Sequence, residues 1–412
     1  AMKGKTWRRQ RNQKKRARKR DFSVLSQPAK KEEFENNLKR RMGDDWSWSA
    51  TQNALKQTIE DVCPLKTPAR QPWIDGECWR LIEERAQERK RNQHSEEHRQ
   101  AAKRAKKALR KAKRKWYDDR SKEAQEAHAK GDYKTIYRTI KKLSKKRQAT
   151  PGIGIKDANG EMIYEEDKIR DRWKEYCTEL FGREDRPRVE IEVEEIEPEV
   201  MESEIEAAIK KLKKEKATGT DDIPAEALKA GGETVVKALK GIIDEVWRSG
   251  VWPEDWVISE LVPLPKVPGT QECSKYRTVS LISHASKVLL EIIRTRLQYY
   301  LNPVIAEEQF GFTAGKGTAD AILTVRNIIQ KVAKKQDEDE VWFLFIDYTK
   351  AFDTVYHDAL WDTLTEFGVP THLTWLMKGL YDAAKGVVRV GEDRTEEFNF
   401  EKGVRQGCLV SP

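Results

Sequence analysis

Apolar residues along this chain fall into two rhythms, one repeating every three or four positions and one running continuously or alternately over short stretches. Ile169, Trp173, Tyr176 and Leu180 share a helical face, as do Ile205, Ile209 and Leu212 within 203–214, and a third amphipathic helix is read over 235–247. Further helices are expected over 284–301, 318–334, 356–367 and 371–384. Strands are expected over 257–264, 387–391 and 396–400. The unbroken run Val341-Trp342-Phe343-Leu344-Phe345-Ile346 reads as a buried strand that delivers Asp347 at its end. A carboxylate is not left unpaired in a core, so Asp347 is expected to face a cleft. Helices mixed with short strands, without a regular βα period, predict an α+β fold.

The amino-terminal part has a different pattern. Residues 5–20 are almost all basic or polar, and 1–72 is read as a basic, disordered arm, because such a stretch cannot bury enough surface to fold. From Trp73 to Lys146 the chain is rich in Glu, Lys, Arg, Gln and Ala, which predicts a long solvated helix or a helical pair over 73–150. The breaker cluster Thr150-Pro151-Gly152-Ile153-Gly154 marks its end.

Charge sharpens this division. Residues 1–150 hold 44 Lys and Arg against 20 Asp and Glu, whereas 151–412 hold 35 against 49, so the net charge of +10 joins a basic portion to an acidic one. That asymmetry favours a nucleic-acid partner held through phosphates. Within 103–117 no acidic residue offsets the cations. Lys106, Lys107, Arg110, Lys111, Arg114 and Lys115 are candidate nucleic-acid contacts, with Trp116 and Tyr117 as candidate stacking platforms. Five scattered cysteines form no C-x-x-C pair, so neither a zinc site nor a disulfide framework is indicated, and a reducing compartment, nucleus or cytoplasm, is expected. No apolar run approaches the roughly 20 residues that span a bilayer, and no membrane partner is expected.

The candidate chemistry lies near the carboxyl end. Asp347 precedes Tyr348-Thr349-Lys350-Ala351-Phe352-Asp353, and sixty residues later comes Gly403-Val404-Arg405-Gln406-Gly407-Cys408-Leu409-Val410-Ser411-Pro412. Asp347 and the Ile346 carbonyl are candidate hard-oxygen metal ligands. Asp353 is expected to cap the helix at 356–367. Gly311 to Thr318 looks like a phosphate loop but lacks the Walker spacing, with three residues between glycines and Gly317 after the lysine. Thr349 stands where an aspartate-phosphorylating phosphatase needs a second Asp. His284, His357 and His372 share no ligand spacing and are read as ordinary fold residues.

Taken in order, Lys216 to Glu226 (KATGTDDIPAE), Val262 to Lys266 (VPLPK), Tyr276 to Leu281 (YRTVSL), Gln309 to Phe312 (QFGF), and the Asp347 and Gln406 motifs resemble the reverse transcriptases of non-LTR retrotransposons, the long interspersed elements, in their RTE-like group. The resemblance covers Ala217 to Pro412. It implies right-hand polymerase fingers and a partial palm over 256–412, with 151–255 as an extension leading into the fingers. It also implies an RNA-directed DNA polymerase acting by two-metal nucleotidyl transfer, with two Mg²⁺, an RNA template, a DNA primer or target and deoxynucleoside triphosphates. Asp347 would bind both metals, Lys266 and Arg277 would clasp the triphosphate, and Phe352 would exclude a 2′ hydroxyl. Gln406 and Gly407 would touch nucleotide and template. Thr313 stands where the family pattern has Arg. Neither the family's endonuclease nor its Asp-Asp turn is present in the sequence, so a fragment inactive on its own is expected. The alternative is a non-catalytic nucleic-acid-binding relic of such an element.

Overall fold

A computed structural model describes residues 20–43, 45–65, 72–92, 94–143, 154–182, 189–334 and 340–412. The basic stretch 5–20, apart from Arg20, and Thr150 to Ile153 of the breaker cluster lie outside the described residues. The chain divides into two compact units, Ala1–Asp21 with Leu65–Pro151 and Phe22–Pro64 with Gly152–Pro412.

The first unit contains the helices Gly76–Arg91, Glu96–Ala129 and Tyr133–Leu143. The first two begin where the side chains of Asp75 and Ser95 accept the backbone N–H groups of Cys78 and His98, donors that the first helical turn leaves without partners. Alanines make close helix packing possible in this charged sequence. Ala101 and Ala105, one turn apart, are buried while Lys103 and Arg104 between them stay outside.

The second unit corrects the expectation for 1–72. Residues Pro28–Arg41 and Trp48–Val62 are helices, not a disordered arm. Phe34 and Leu38 lie on one face, as do Leu55, Ile59 and Val62, and all are buried in the same core as Leu228, Leu239 and Ile243. Trp48 packs edge-on to Trp256 with ring centroids 5.3 Å apart, and Trp48 Nε1 and Gln52 Nε2 donate to Asp255 Oδ2 at 3.3 and 3.0 Å. The apolar period of these helices was submerged by the cationic stretch before them.

Helices Glu166–Phe181, Glu202–Lys211, Gly232–Ser249, His284–Leu301, Thr318–Lys334, His357–Glu366 and Thr371–Asp382 fall where the periodicity places them, and the mixture of helices with a sheet is α+β. The strands are β1 (Ile155–Lys156), β2 (Met162–Ile163), β3 (Ile258–Pro265), β4 (Tyr276–Leu281), β5 (Lys385–Val390), β6 (Asp393–Arg394) and β7 (Phe398–Asn399). β1 and β2 pair with each other. β3 lies inside the second sheet, antiparallel to β4 from Glu260–Leu281 to Pro265–Tyr276 and parallel to β5 from Ile258–Lys385 to Leu261–Val388. β6 and β7 both pair with β5. The amino-terminal half of β3 is buried, and its last residues run out into solvent. At the buried end Glu260 accepts paired hydrogen bonds from Arg389 and Arg394, so its charge is matched within the sheet.

The run at 341–347 forms no strand. It is extended and exposed, with Trp342 at 84% and Phe345 at 85%, and no described residue offers it a ladder of backbone hydrogen bonds. Phe343 and Phe345, two residues apart and therefore on one side of the extended chain, stack on each other at 6.3 Å and on no other aromatic ring among the described residues. Helix Thr318–Lys334 likewise buries none of its side chains. Apolarity specified an extended backbone, but a strand also requires a neighbour.

Candidate active site and nucleic-acid interface

The antiparallel register of β3 and β4 sets Arg277 opposite Leu264, two residues before Lys266, whose backbone N–H continues the ladder to the Lys275 carbonyl at 2.9 Å. Both cations therefore stand at the solvent end of this hairpin. Their charges reach Asp353, which lies on the short 3-10 turn Ala351–Asp353 and is only 8% exposed. Burial pushes the Asp353 carboxyl above its ordinary value, while the Gln406 amide and the charges of Lys350, Lys266 and Arg277 pull it back.

The turn around Asp353 is laced to the loop around Gln406. Val404 N donates to Phe352 O and Gly403 N to Val355 O, each at 2.7 Å, and His357 Nε2 bonds the Gly403 carbonyl at 2.8 Å. The approach is close because position 403 has no side chain: a Cβ there would sit 2.7 Å from the Asp353 carbonyl oxygen, and its φ is +80°. Gly407, at φ +116°, lies against Ser280 of β4, whose N–H donates to Gln406 O at 2.8 Å. The two glycines thus let this loop contact both the turn and the hairpin strand.

Gln406 Nε2 donates to Asp353 Oδ1 at 2.6 Å. Asp353 is therefore not a helix cap, since the helix His357–Glu366 starts at Tyr356 without a side-chain cap. Phe352 presents a partly exposed ring, edge-on to Phe312 at 6.0 Å. Arg405, fully buried, donates to the carbonyls of Trp256 and Val257 at 3.3 and 2.7 Å and faces the Tyr381 ring at 5.8 Å. It anchors the loop to the start of β3. The sequence reading missed the roles of Arg405 and Asp353; the one available signal was that both adjoin residues already singled out.

Asp347 is not part of this assembly. It lies in the exposed 340–348 stretch with no hydrogen bond or ion pair to any described residue, and Ile346 is exposed beside it. Among the described residues no three His, Cys, Asp or Glu side chains gather to hold a metal ion. Asp347 and the Ile346 carbonyl are suitable hard-oxygen donors, yet on their own they do not make a two-ion site. The three histidines each bond a backbone carbonyl: His284 that of Ile223, His357 that of Gly403 and His372 that of Trp247.

In the first unit the cationic block is not charged on all faces. Ala101 and Ala105 are buried, Ala108, Leu109, Ala112 and Trp116 are half-buried, and Lys106, Lys107, Arg110, Lys111, Arg114 and Lys115 are exposed on the opposite face. None of these six forms a direct ion pair among the described residues, although the charge of Lys115 reaches Asp75. Trp116 packs against Trp73 at 6.1 Å and Tyr117 at 5.1 Å, and Lys113 lies over the Trp73 ring. Trp116 is thus a packing residue, and Tyr117, 40% exposed, is the aromatic left at the surface.

Comparison with known proteins shows what the chain is similar to. Residues 264–412 match the model of the reverse transcriptase (RNA-dependent DNA polymerase) family. The chain is 27% identical, over 69% of its length and 27% of the relative's, to the 115 kDa protein of the type-1 retrotransposable element R1DM of Drosophila melanogaster. It is 26% identical, over 51% of its length and 23% of the relative's, to the RNA-directed DNA polymerase from mobile element jockey of Drosophila funebris. A retrovirus-related Pol polyprotein from the type-1 retrotransposable element R2 of Nasonia vitripennis is 24% identical over 43% of the chain and 17% of its own length. The chain therefore spans about a quarter or less of these curated relatives. Residues 264–412 are thus similar to the reverse transcriptase family, and the chain is similar in part to proteins of retrotransposable elements.

Proposed function

We propose that residues 256–412 form fingers and part of the palm of an RNA-directed DNA polymerase, with 151–255 leading into them, and that 73–150 holds nucleic acid. The observation that carries this reading is the junction of three sequence-distant segments: the β3–β4 hairpin end with Lys266 and Arg277, the Phe352–Asp353 turn, and the Gln406–Gly407 loop. A lysine and an arginine at an exposed hairpin end suit a polyphosphate, whose charge rises during nucleotidyl transfer. Phe352 and Gln406 then flank the sugar and base of a deoxynucleoside triphosphate. Two Mg²⁺ would supply the charge stabilisation and nucleophile activation of such a transfer. Asp347 and the Ile346 carbonyl are the donors this chain offers them, and more carboxylates are needed than the described residues gather.

The 412-residue chain is accordingly expected to bind RNA, primer and nucleotide without extending the primer. The test combines RNA binding with primer extension on an RNA template with deoxynucleoside triphosphates and Mg²⁺. Extension by this chain would refute the metal-donor argument, and failure to bind a deoxynucleoside triphosphate would refute the nucleotide site. A second reading, a non-catalytic nucleic-acid-binding relic, draws on the unpartnered Asp347 and the exposed cationic face. It predicts RNA binding with no nucleotide binding at all.

A further inference from the structure

We propose that Asp353 is a positioning residue for Gln406, holding its side-chain amide in one of two possible orientations, nitrogen toward Asp353 and carbonyl oxygen available to a donor group of the bound nucleotide. This rests on the reading of Gln406 as a nucleotide contact. An amide of glutamine is nearly symmetric in shape but not in chemistry, since one end donates and the other accepts. Something must choose between them if the contact is to be selective. An ionised carboxylate only accepts, so it tolerates only the Nε2 end, and the 2.6 Å bond from Nε2 to Asp353 Oδ1 has that polarity.

The backbone leaves this as the open degree of freedom. Val404 and Gly403 are tied to Phe352 and Val355, and the Gln406 carbonyl accepts from Ser280, so the main chain on both sides is fixed. The terminal amide torsion is not fixed by these bonds. No described donor reaches Gln406 Oε1. Burial raises the Asp353 pKa, while the Gln406 amide and the charges of Lys350, Lys266 and Arg277 oppose that rise; the bond's polarity is read from its geometry, with Nε2 facing Oδ1.

Asparagine at 353 removes the polarity while preserving the shape, because its own amide accepts or donates equally well. The first measurement is the side-chain ¹⁵N–¹H signal of Gln406 in the glutamine-labelled 412-residue chain, assigned with Gln406→Glu. In the wild type one amide proton is shifted downfield and protected from exchange; in Asp353→Asn that signature is lost. An unshifted, rapidly exchanging wild-type amide overturns the proposal. The second measurement is the affinity for 2′-deoxyadenosine 5′-triphosphate with an RNA template and DNA primer present. Asp353→Asn, Asp353→Ala and Gln406→Ala each weaken it by about tenfold, the scale of one hydrogen bond to a charged group. Adding Asp353→Ala to Gln406→Ala then changes it less than about twofold, because the residues act as one.

Full additivity overturns the proposal, since Asp353 would then act on the fold and not through Gln406. If the wild type binds no triphosphate, the nucleotide reading fails. The amide signal then still decides whether Asp353 orients Gln406.

Discussion

Replacing Asp221 with asparagine should abolish a pH dependence of stability that the fold builds into one buried carboxyl. Asp221 is fully buried: Ser283 Oγ donates to its Oδ2 at 2.6 Å and the Ile223 N–H to its Oδ1 at 3.3 Å. Burial pushes its pKa up to about 6 from 3.8, against the pull of those two hydrogen bonds and with help from the charges of Asp255 and Asp222. The folded state therefore binds the proton more tightly than the unfolded chain. Its contribution is fully present below about pH 4 and is lost as pH rises through about 6. A shift of about two units corresponds to about 3 kcal/mol.

The asparagine variant carries a fixed loss of its own, because Ser283 Oγ already accepts the N–H groups of Ala285 and Ser286 and must donate to residue 221. An amide nitrogen cannot accept, whereas both oxygens of a carboxyl can in either protonation state, so one bond worth about 1 kcal/mol is lost at every pH. The informative quantity is therefore the slope. Urea unfolding followed by tryptophan fluorescence from pH 4 to 7 should show the wild type losing about 3 kcal/mol relative to the variant. His284, which burial pushes down to about 4, is common to both proteins and cancels in the difference. Superimposable slopes would show that Asp221 is ionised in the fold at the same cost as in the unfolded chain.

Glu260→Gln should lower stability by about 2–4 kcal/mol, measured by thermal unfolding, because an amide nitrogen would face the two guanidinium groups of Arg389 and Arg394. Burial acts to raise the Glu260 pKa, but the hydrogen bonds and charges of those arginines hold it below the ordinary value. Its contribution is thus present above about pH 4.5 and fades as pH falls through the depressed value, a dependence the variant lacks. Reversing Lys106, Arg110 and Arg114 to Glu together should weaken RNA binding and flatten its salt dependence by about two units of logarithmic slope, with the circular dichroism spectrum unchanged since all three are exposed. In a polymerase carrying this chain's Phe352, Phe352→Val should raise ribonucleotide incorporation relative to deoxyribonucleotide; an unchanged ratio sinks the gate.

Much of the helical framework was legible in the sequence because apolar spacing reports a local period. Ile205, Ile209 and Leu212 needed only their own helix to be read, and so did Trp173 and Leu180. The helices at 28–41 and 48–62 were missed because a neighbouring cationic stretch dominated the composition, while Phe34 and Leu38 share their core with residues two hundred positions away. The strand at 341–347 failed for the converse reason. Its pattern was locally right, but pairing depends on a partner that the residue pattern does not contain.

By itself the sequence determined the family motifs, their order, the division of charge, and the candidates Lys266, Arg277, Asp347, Phe352, Gln406 and Gly407. Tertiary structure decided which of them meet. It joined Gln406 to Asp353 and Val404 to Phe352 through hydrogen bonds between segments fifty residues apart, brought the hairpin cations within reach of that turn, and left Asp347 in solvent. It also turned a uniformly basic helix into one with a buried alanine seam and a single cationic face. Residue type sets what a group can donate, accept or neutralise, whereas burial and contact across the chain set which of those capacities is used.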